Sequence, residues 1–142
     1  MKKKVLFVCI HNSARSQMAE EMLRKLGGED FFTESAGIEP GQLNPIVVKV
    51  LQEEGINIAG KKTQAVADLI QEKRQYDYVI TVCDETSAER CPMFPGKHQR
   101  IHWSFTDPSQ FVGTDEEKME KVRVVKGEIE AKLKSWLTSL AK

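Results

Sequence analysis

The sequence predicts an α/β fold: a single small, doubly wound sheet of four parallel strands with flanking helices. The length of 142 residues is that of one ordinary domain, so we expect one domain over residues 1–142. The run Lys4–Cys9 is apolar from its second residue onward, without alternation, which is typical of a strand buried on both faces of a parallel sheet. Strand-like and helix-like segments then alternate along the chain, as successive right-handed βαβ units require.

The first half of the chain predicts two helices and a second strand. Apolar residues recur at spacings of three and four from Ser16 and stop at Gly27, which predicts an amphipathic helix with a glycine end. Phe31–Ser35 follows as a short strand. Asn44 and Pro45 then provide the cap and the first-turn proline of a second helix.

The second half predicts a short helix, two strands and a long last helix. We expect the helix over Ala65–Glu72 and the strands over Tyr76–Val82 and Arg100–Trp103. Thr114 and Glu117 have the spacing of a capping box, and the apolar residues after them repeat at helical intervals. The last helix is therefore expected to cover the fold with one apolar face.

Composition and charge narrow the range of partners and locations. Lys and Arg together number 21, as do Asp and Glu, so the chain has no overall attraction for nucleic acid or an anionic membrane. No run approaches the roughly 20 apolar residues of a membrane-spanning helix. We expect a cytoplasmic protein with no nucleic-acid or membrane partner, and we interpret the charges of Glu116–Lys134 as a solvated helix face.

The turn between the first strand and the first helix contains the candidate active site. Backbone amides converge there at the positive end of the helix dipole, which is an arrangement that binds oxyanions. Arg15 adds a fork suited to a tetrahedral anion, and it favours the thiolate form of Cys9. A nucleophilic sulfur at an anion site predicts attack on an electrophilic oxyanion, whereas the alternative is a core cysteine with an ordinary surface arginine. The residues expected to bind the anion or support the loop are His11, Asn12, Ser13, Ala14, Arg15 and Ser16.

Two further cysteines raise the number of thiols to three, which favours catalytic or metal-binding roles in a reducing compartment. Cys83 follows a strand expected to neighbour the first, and Cys91 lies in a proline-containing segment. Disulfides formed in sequence, Cys9 with Cys83 and then Cys83 with Cys91, would carry oxidising equivalents outward. In one alternative Cys83 is merely a buried residue. In another, Cys83, Cys91, His98 and His102 bind zinc, although the cysteine spacing is too long for a typical zinc site.

Asp107 is the candidate general acid. A turn after the fourth strand can overhang the anion site, and its carboxyl group would protonate a leaving oxygen. The pair Asp107-Pro108 is equally a common turn signal, so both interpretations remain open.

The motifs resemble those of a known superfamily. The segment Val8-Cys9-x5-Arg15-Ser16 resembles the signature of the low-molecular-weight protein tyrosine phosphatases. Two further segments resemble other landmarks of that superfamily: Ser35-Ala36-Gly37 and Asp107-Pro108. Within that superfamily, the thioredoxin-coupled arsenate reductases are similar at Thr81-Val82-Cys83, Cys91-Pro92 and His102-Trp103. Phosphatases of the family typically have tyrosine after the Asp-Pro pair. Ser109 stands there in this chain, which favours a small inorganic anion.

This resemblance implies that the domain is a catalytic one that reduces arsenate. Cys9 would attack arsenic, Arg15 and the loop amides would bind the oxyanion, and Asp107 would be the general acid. Cys83 would then attack the arsenic adduct of Cys9 and release arsenite, and Cys91 would resolve the resulting disulfide for thioredoxin. We expect no cofactor, no metal and a monomer.

Two other functions remain open. The same Cys9, Arg15 and Asp107 would hydrolyse phosphate monoesters through a cysteinyl-phosphate intermediate, because arsenate and phosphate have the same shape and charge. A noncatalytic anion-binding or sensor domain is the third hypothesis, since a fold does not by itself determine a function.

Overall fold

The computed structural model describes residues 3–9, 14–39, 41–82, 98–106, 108 and 111–140. Within these residues four strands form one sheet: β1 (Lys3–Cys9), β2 (Phe31–Gly37), β3 (Tyr78–Thr81) and β4 (Gln99–His102). Their order across the sheet is β2-β1-β3-β4, and each neighbouring pair is parallel. The predicted four-stranded parallel sheet with flanking helices is confirmed.

The described part of the chain contains four α-helices: α1 (Arg15–Gly27), α2 (Pro45–Gln52), α3 (Val66–Gln71) and α4 (Asp115–Leu140). The predicted caps are present. The Asn44 side chain accepts a hydrogen bond from the Ile46 amide at 2.9 Å. Thr114 Oγ1 accepts from the Glu117 amide at 3.2 Å, and the Glu117 carboxylate accepts from the Thr114 amide at 3.3 Å. Local sequence therefore determines where α2 and α4 begin.

The strand ends differ from the predicted ones by one or two residues. β2 continues to Gly37, beyond the predicted end at residue 35, because its register with β1 runs as far as the pair of Gly37 and Cys9. β3 is shorter than the predicted Tyr76–Val82, yet the Val82 amide still donates to Val8 O at 2.9 Å. Backbone pairing between β1 and the end of β3 thus extends to the residue that precedes Cys83.

Each face of the sheet has its own hydrophobic core, so β1 is buried on both faces. Phe7 and Cys9 belong to the larger core, which also contains residues of α1, α2 and α4. Leu6 and Val8 belong to the smaller core, where they pack with Leu69 of α3. The alternation along β1 therefore directs Cys9 toward the side of the sheet covered by α1.

The charged face of α4 forms ion pairs with the end of α2. The Arg123 guanidinium donates to the two carboxylate oxygens of Glu53 at 2.9 and 2.7 Å, and Lys126 Nζ lies 2.7 Å from Glu54 Oε2. Within the charged face of Glu116–Lys134, the pair of Arg123 with Glu53 is exposed, and the pair of Lys126 with Glu54 is partly buried. The carboxylates that pair with them are about 70 residues away in the sequence, so only the packing of α4 on α2 reveals them.

Candidate active site

Cys9 lies at the carboxyl end of β1, one of the two central strands. Its Sγ atom lies 2.8 Å from Ser16 Oγ in α1, and both residues are buried. The carbonyl of Cys9 accepts a hydrogen bond from the Ile38 amide at 3.2 Å. The backbone of Cys9 is thus held by the sheet while its sulfur contacts the first turn of α1, where a hydroxyl is placed to donate to a thiolate.

The first turn of α1 contains no group that would compensate its positive end. Ala14 occupies the N-cap position and provides no side-chain cap, and the first turn contains no acidic residue. The helix dipole therefore favours negative charge at the helix end that contacts Cys9. Both an anionic sulfur and a bound oxyanion are stabilised by this arrangement.

Arg15 is the first residue of α1, and its side chain is buried. Its Nη1 atom donates to the carbonyl oxygen of Phe105 at 3.1 Å, which connects two segments 90 residues apart in sequence. Phe105 comes two residues before Asp107. The guanidinium is therefore anchored to the segment that leads to the candidate general acid.

The structure describes some of the predicted site residues and not others. Those that it describes are Cys9, Ala14, Arg15 and Ser16. Those that lie outside the described residues are His11, Asn12, Ser13, Cys83, Cys91 and Asp107. The structure brings Cys9 and Ser16 into contact. It contains no cluster of three or more His, Cys, Asp or Glu side chains arranged for a metal, as far as the described ranges extend. The two cysteines of the zinc alternative lie outside those ranges.

A buried carboxylate in α1 holds this helix against the sheet, and it is not among the residues predicted for the site. Glu20 accepts a hydrogen bond from Ser35 Oγ at 2.6 Å, and its other oxygen lies 2.7 Å from both Arg24 Nη2 and Lys61 Nζ. The spacing of Glu20 and Arg24 is visible in the sequence, whereas Lys61 arrives only through the fold. Because α1 begins with Arg15, these contacts also help to position the guanidinium.

A second polar pair lies at the carboxyl end of the sheet. Thr81 Oγ1 and His102 Nδ1 are 2.6 Å apart, and the two residues are partners in the β3–β4 register. At the opposite, amino end of β4, burial and the positive charge of Arg100 lower the pKa of His98. The sequence signals for the pair were that both residues lie near predicted strand ends and that they belong to the segments Thr81-Val82-Cys83 and His102-Trp103, which carry the resemblance.

Comparison with known proteins agrees with this architecture. The family model for low molecular weight phosphotyrosine protein phosphatase matches residues 4–142. An arsenate reductase of Halalkalibacterium halodurans is 39% identical over 135 residues, which is 95% of each chain.

Two solved structures extend the comparison. The arsenate reductase of Archaeoglobus fulgidus has a TM-score of 0.74 at 30% identity and covers 94% of this chain and 98% of its own. A thioredoxin-dependent arsenate reductase of Corynebacterium glutamicum has a TM-score of 0.63 at 32% identity, covering 97% of this chain and 63% of its own. With its matched signature and its fold, this chain belongs to the low molecular weight phosphotyrosine protein phosphatase family.

Proposed function

We propose that this protein is an arsenate reductase that uses Cys9 as its nucleophile and thioredoxin as its reductant. The observation that carries the proposal is the Cys9 sulfur, 2.8 Å from the Ser16 hydroxyl at the start of a helix whose first residue is a buried arginine. Relatives named arsenate reductase match nearly the whole chain and support the choice of substrate. The thioredoxin-dependent relative supports the choice of reductant.

In the first step, the Cys9 thiolate attacks arsenic. The hydroxyl group of hydrogen arsenate accepts a proton from Asp107 and leaves as water, while a sulfur–arsenic bond forms and arsenic remains As(V). The Arg15 guanidinium and the amides at the start of α1 neutralise the remaining oxygens, as an oxyanion site does.

In the second step, the Cys83 thiolate attacks the sulfur of Cys9. A disulfide forms, the sulfur–arsenic bond breaks, and its electron pair leaves with arsenic, which is thereby reduced to As(III) and released as arsenite. Cys91 then attacks the sulfur of Cys83, which frees Cys9, and the dithiol of thioredoxin reduces the Cys83–Cys91 disulfide.

The pairing of β1 with β3 supports a second thiol near the first. Val82 donates its amide hydrogen to the carbonyl of Val8 at 2.9 Å. Cys9 directly follows Val8, and Cys83 directly follows Val82. Cys83 itself lies outside the described residues.

The test is arsenate-dependent oxidation of NADPH in the presence of thioredoxin and thioredoxin reductase. We expect the wild-type protein to turn over repeatedly and Cys9→Ser to show no activity. Cys91→Ser should release about one equivalent of arsenite and then stop, because without Cys91 the Cys9–Cys83 disulfide is not converted into the disulfide that thioredoxin reduces. Full multiple turnover by Cys91→Ser would contradict the proposed relay.

Hydrolysis of phosphate monoesters is the second candidate function. The observation that favours it is the family model, which describes a phosphotyrosine phosphatase over residues 4–142. An aryl phosphate assay of the double variant Cys83→Ser/Cys91→Ser separates the two functions. Strong hydrolysis by this variant, together with no arsenate-dependent oxidation of thioredoxin by the wild-type protein, would favour the phosphatase.

Location and assembly remain predictions. The helices that the structure describes include none with both the length and the apolar character needed to cross a membrane. A cytoplasmic monomer with no nucleic-acid partner is consistent with use of thioredoxin. Light scattering coupled to size-exclusion chromatography would test the expected monomer.

A further inference from the structure

Lys61 places a positive charge beside the buried carboxylate of Glu20, and the proposed reaction steps do not use it. Its Nζ atom lies 2.7 Å from Glu20 Oε2 and 3.2 Å from Glu21 Oε1. The Arg24 guanidinium forms the other two ion pairs, at 2.7 Å from Glu20 and 2.8 Å from Glu21. These four side chains, which we call the Glu20 cluster, combine two carboxylates with two cations and therefore have no net charge.

The fold encloses the carboxylates of the Glu20 cluster, whereas the cations reach them from the surface. The Glu20 side chain is 4% exposed, compared with 25% for Lys61 and 51% for Arg24. A buried carboxylate without a counter-ion is a strong source of negative potential, because the protein interior screens charge weakly. Lys61 is the more enclosed of the two cations, so its charge is the less screened by solvent.

The Glu20 cluster lies close to the anion site. Glu20 comes one helical turn after Ser16, which contacts the Cys9 sulfur. The Ser35 hydroxyl, which donates to Glu20, belongs to β2 two residues before Gly37, the register partner of Cys9. Residues four apart on a helix have Cβ atoms about 5–6 Å apart, and neighbouring strands are about 4.8 Å apart, so both routes place the carboxylate roughly 8–10 Å from the sulfur.

A negative charge at this distance weakens an anion site. At about 9 Å and an effective dielectric constant of about 20, the interaction of two unit charges is equivalent to a roughly 20-fold change in an equilibrium constant. Partial exposure of Lys61 to solvent reduces its own effect to about ten-fold. The Glu20 cluster must therefore be neutral if the start of α1 is to bind an oxyanion tightly.

We propose that Lys61 is a tethered counter-ion of the anion site: its ammonium group neutralises the Glu20 cluster and thereby permits a doubly charged oxyanion to bind beside the Cys9 sulfur. Lys61 acts through Glu20, so it is a positioning residue and not a catalytic one. The inference rests on the proposed function for the identity of the oxyanion, which is arsenate. The charge of Lys61 sets the affinity of the site for this substrate.

The dissociation constant of inorganic phosphate, measured by isothermal titration calorimetry on the full chain, tests this role. Phosphate has the shape and charge of arsenate and is not reduced by thiols. Lys61→Met keeps an unbranched side chain without the charge, and we expect it to weaken phosphate binding by about ten-fold. Lys61→Arg keeps the charge and should restore most of the affinity. Choline is the cation of the buffer, so that no small inorganic cation takes the place of the ammonium group.

Substitution of Glu20 separates the effect of charge from structural damage. Glu20→Gln keeps the shape of the side chain and an acceptor for Ser35 but removes one negative charge, so phosphate should bind about ten-fold more tightly. The double variant Lys61→Met/Glu20→Gln has a neutral cluster again and should bind phosphate as the wild-type protein does. A merely structural role of the ion pair predicts instead that both single variants weaken binding and that the double variant binds no better than either.

Lys126→Met is the matched control. Lys126 is a partly buried lysine whose Nζ atom also lies 2.7 Å from a carboxylate, that of Glu54 at the end of α2. This variant loses an ion pair of the same length outside the Glu20 cluster and should bind phosphate like the wild-type protein. Urea midpoints show whether each variant is folded, and Glu20→Gln carries the test if Lys61→Met is not.

The outcomes separate this inference from the proposed function. Wild-type dissociation constants in both Lys61→Met and Glu20→Gln would overturn the role of Lys61 and leave arsenate reduction untouched. Opposite shifts in the two variants of a protein that shows no arsenate-dependent oxidation of NADPH would keep the role of Lys61 and overturn the reductase. A wild-type protein that binds neither phosphate nor arsenate would overturn both.

Discussion

The contact between Ser16 and Cys9 allows the anionic state of the sulfur to be tested directly. Ser16 Oγ lies 2.8 Å from Cys9 Sγ, and neither side chain has appreciable contact with solvent. A hydrogen bond to a charged group contributes about 1.5–3 kcal/mol. Since each 1.36 kcal/mol is a factor of ten, Ser16→Ala should slow nucleophilic attack by the Cys9 sulfur by about 10- to 100-fold.

The assay is the rate of Cys9 alkylation by iodoacetamide, followed by mass spectrometry of the peptide that contains it. At a pH of about 6 we expect Ser16→Ala to react at least roughly ten-fold more slowly than the wild-type protein. Ser35→Ala is the matched control, because it removes an equally buried hydroxyl that also donates to an anion, the Glu20 carboxylate. Equal alkylation rates in the two variants would refute stabilisation of an anionic sulfur by Ser16.

Three other predictions concern the anion site, the core and the surface ion pairs. Arg15→Lys loses both the planar fork and the donor to Phe105 O, so kcat/KM for arsenate should fall by at least about 100-fold, with the urea midpoint showing whether the fold is intact. Leu133→Ala, in the fully buried face of α4, should lower the free energy of unfolding by about 2–5 kcal/mol, whereas Val124→Ala, on the exposed side, should change it by less than about 0.5 kcal/mol. The hydrogen bond from Lys126 lowers the pKa of Glu54 below its ordinary value of 4.5. The ionised Glu54 carboxylate therefore stabilises the folded state at pH values above 4.5, and this stabilisation is lost as the pH falls through the folded-state pKa. Glu54→Gln should therefore destabilise the protein by about 1 kcal/mol or less at neutral pH and by a smaller amount near about pH 3, as measured by urea unfolding at both pH values.

The sequence by itself determined the features that depend on residues close together in the chain. The unbroken apolar run of β1 predicted burial on both faces, and the caps at Asn44 and Thr114 marked the helix starts that the structure has. The spacing of Cys9 and Arg15 across a strand–helix turn predicted an anion site, which stays a prediction. Turn geometry and helical periodicity depend on residues only a few positions apart, so such patterns can be recognised in the sequence alone.

Only the tertiary structure decided which distant groups meet. Phe105 supplies the carbonyl that anchors Arg15, and His102 pairs with Thr81 across two strands. Lys61 joins the buried carboxylate of Glu20 from a loop 41 positions further along the chain. Each of these contacts needs a particular strand order or docking of a loop on α1, and many polar residues of the sequence could have served as partners equally well. The physical reason is that hydrogen bonds and ion pairs are short-ranged, so their partners are selected only when the packing of the apolar faces has set the distances.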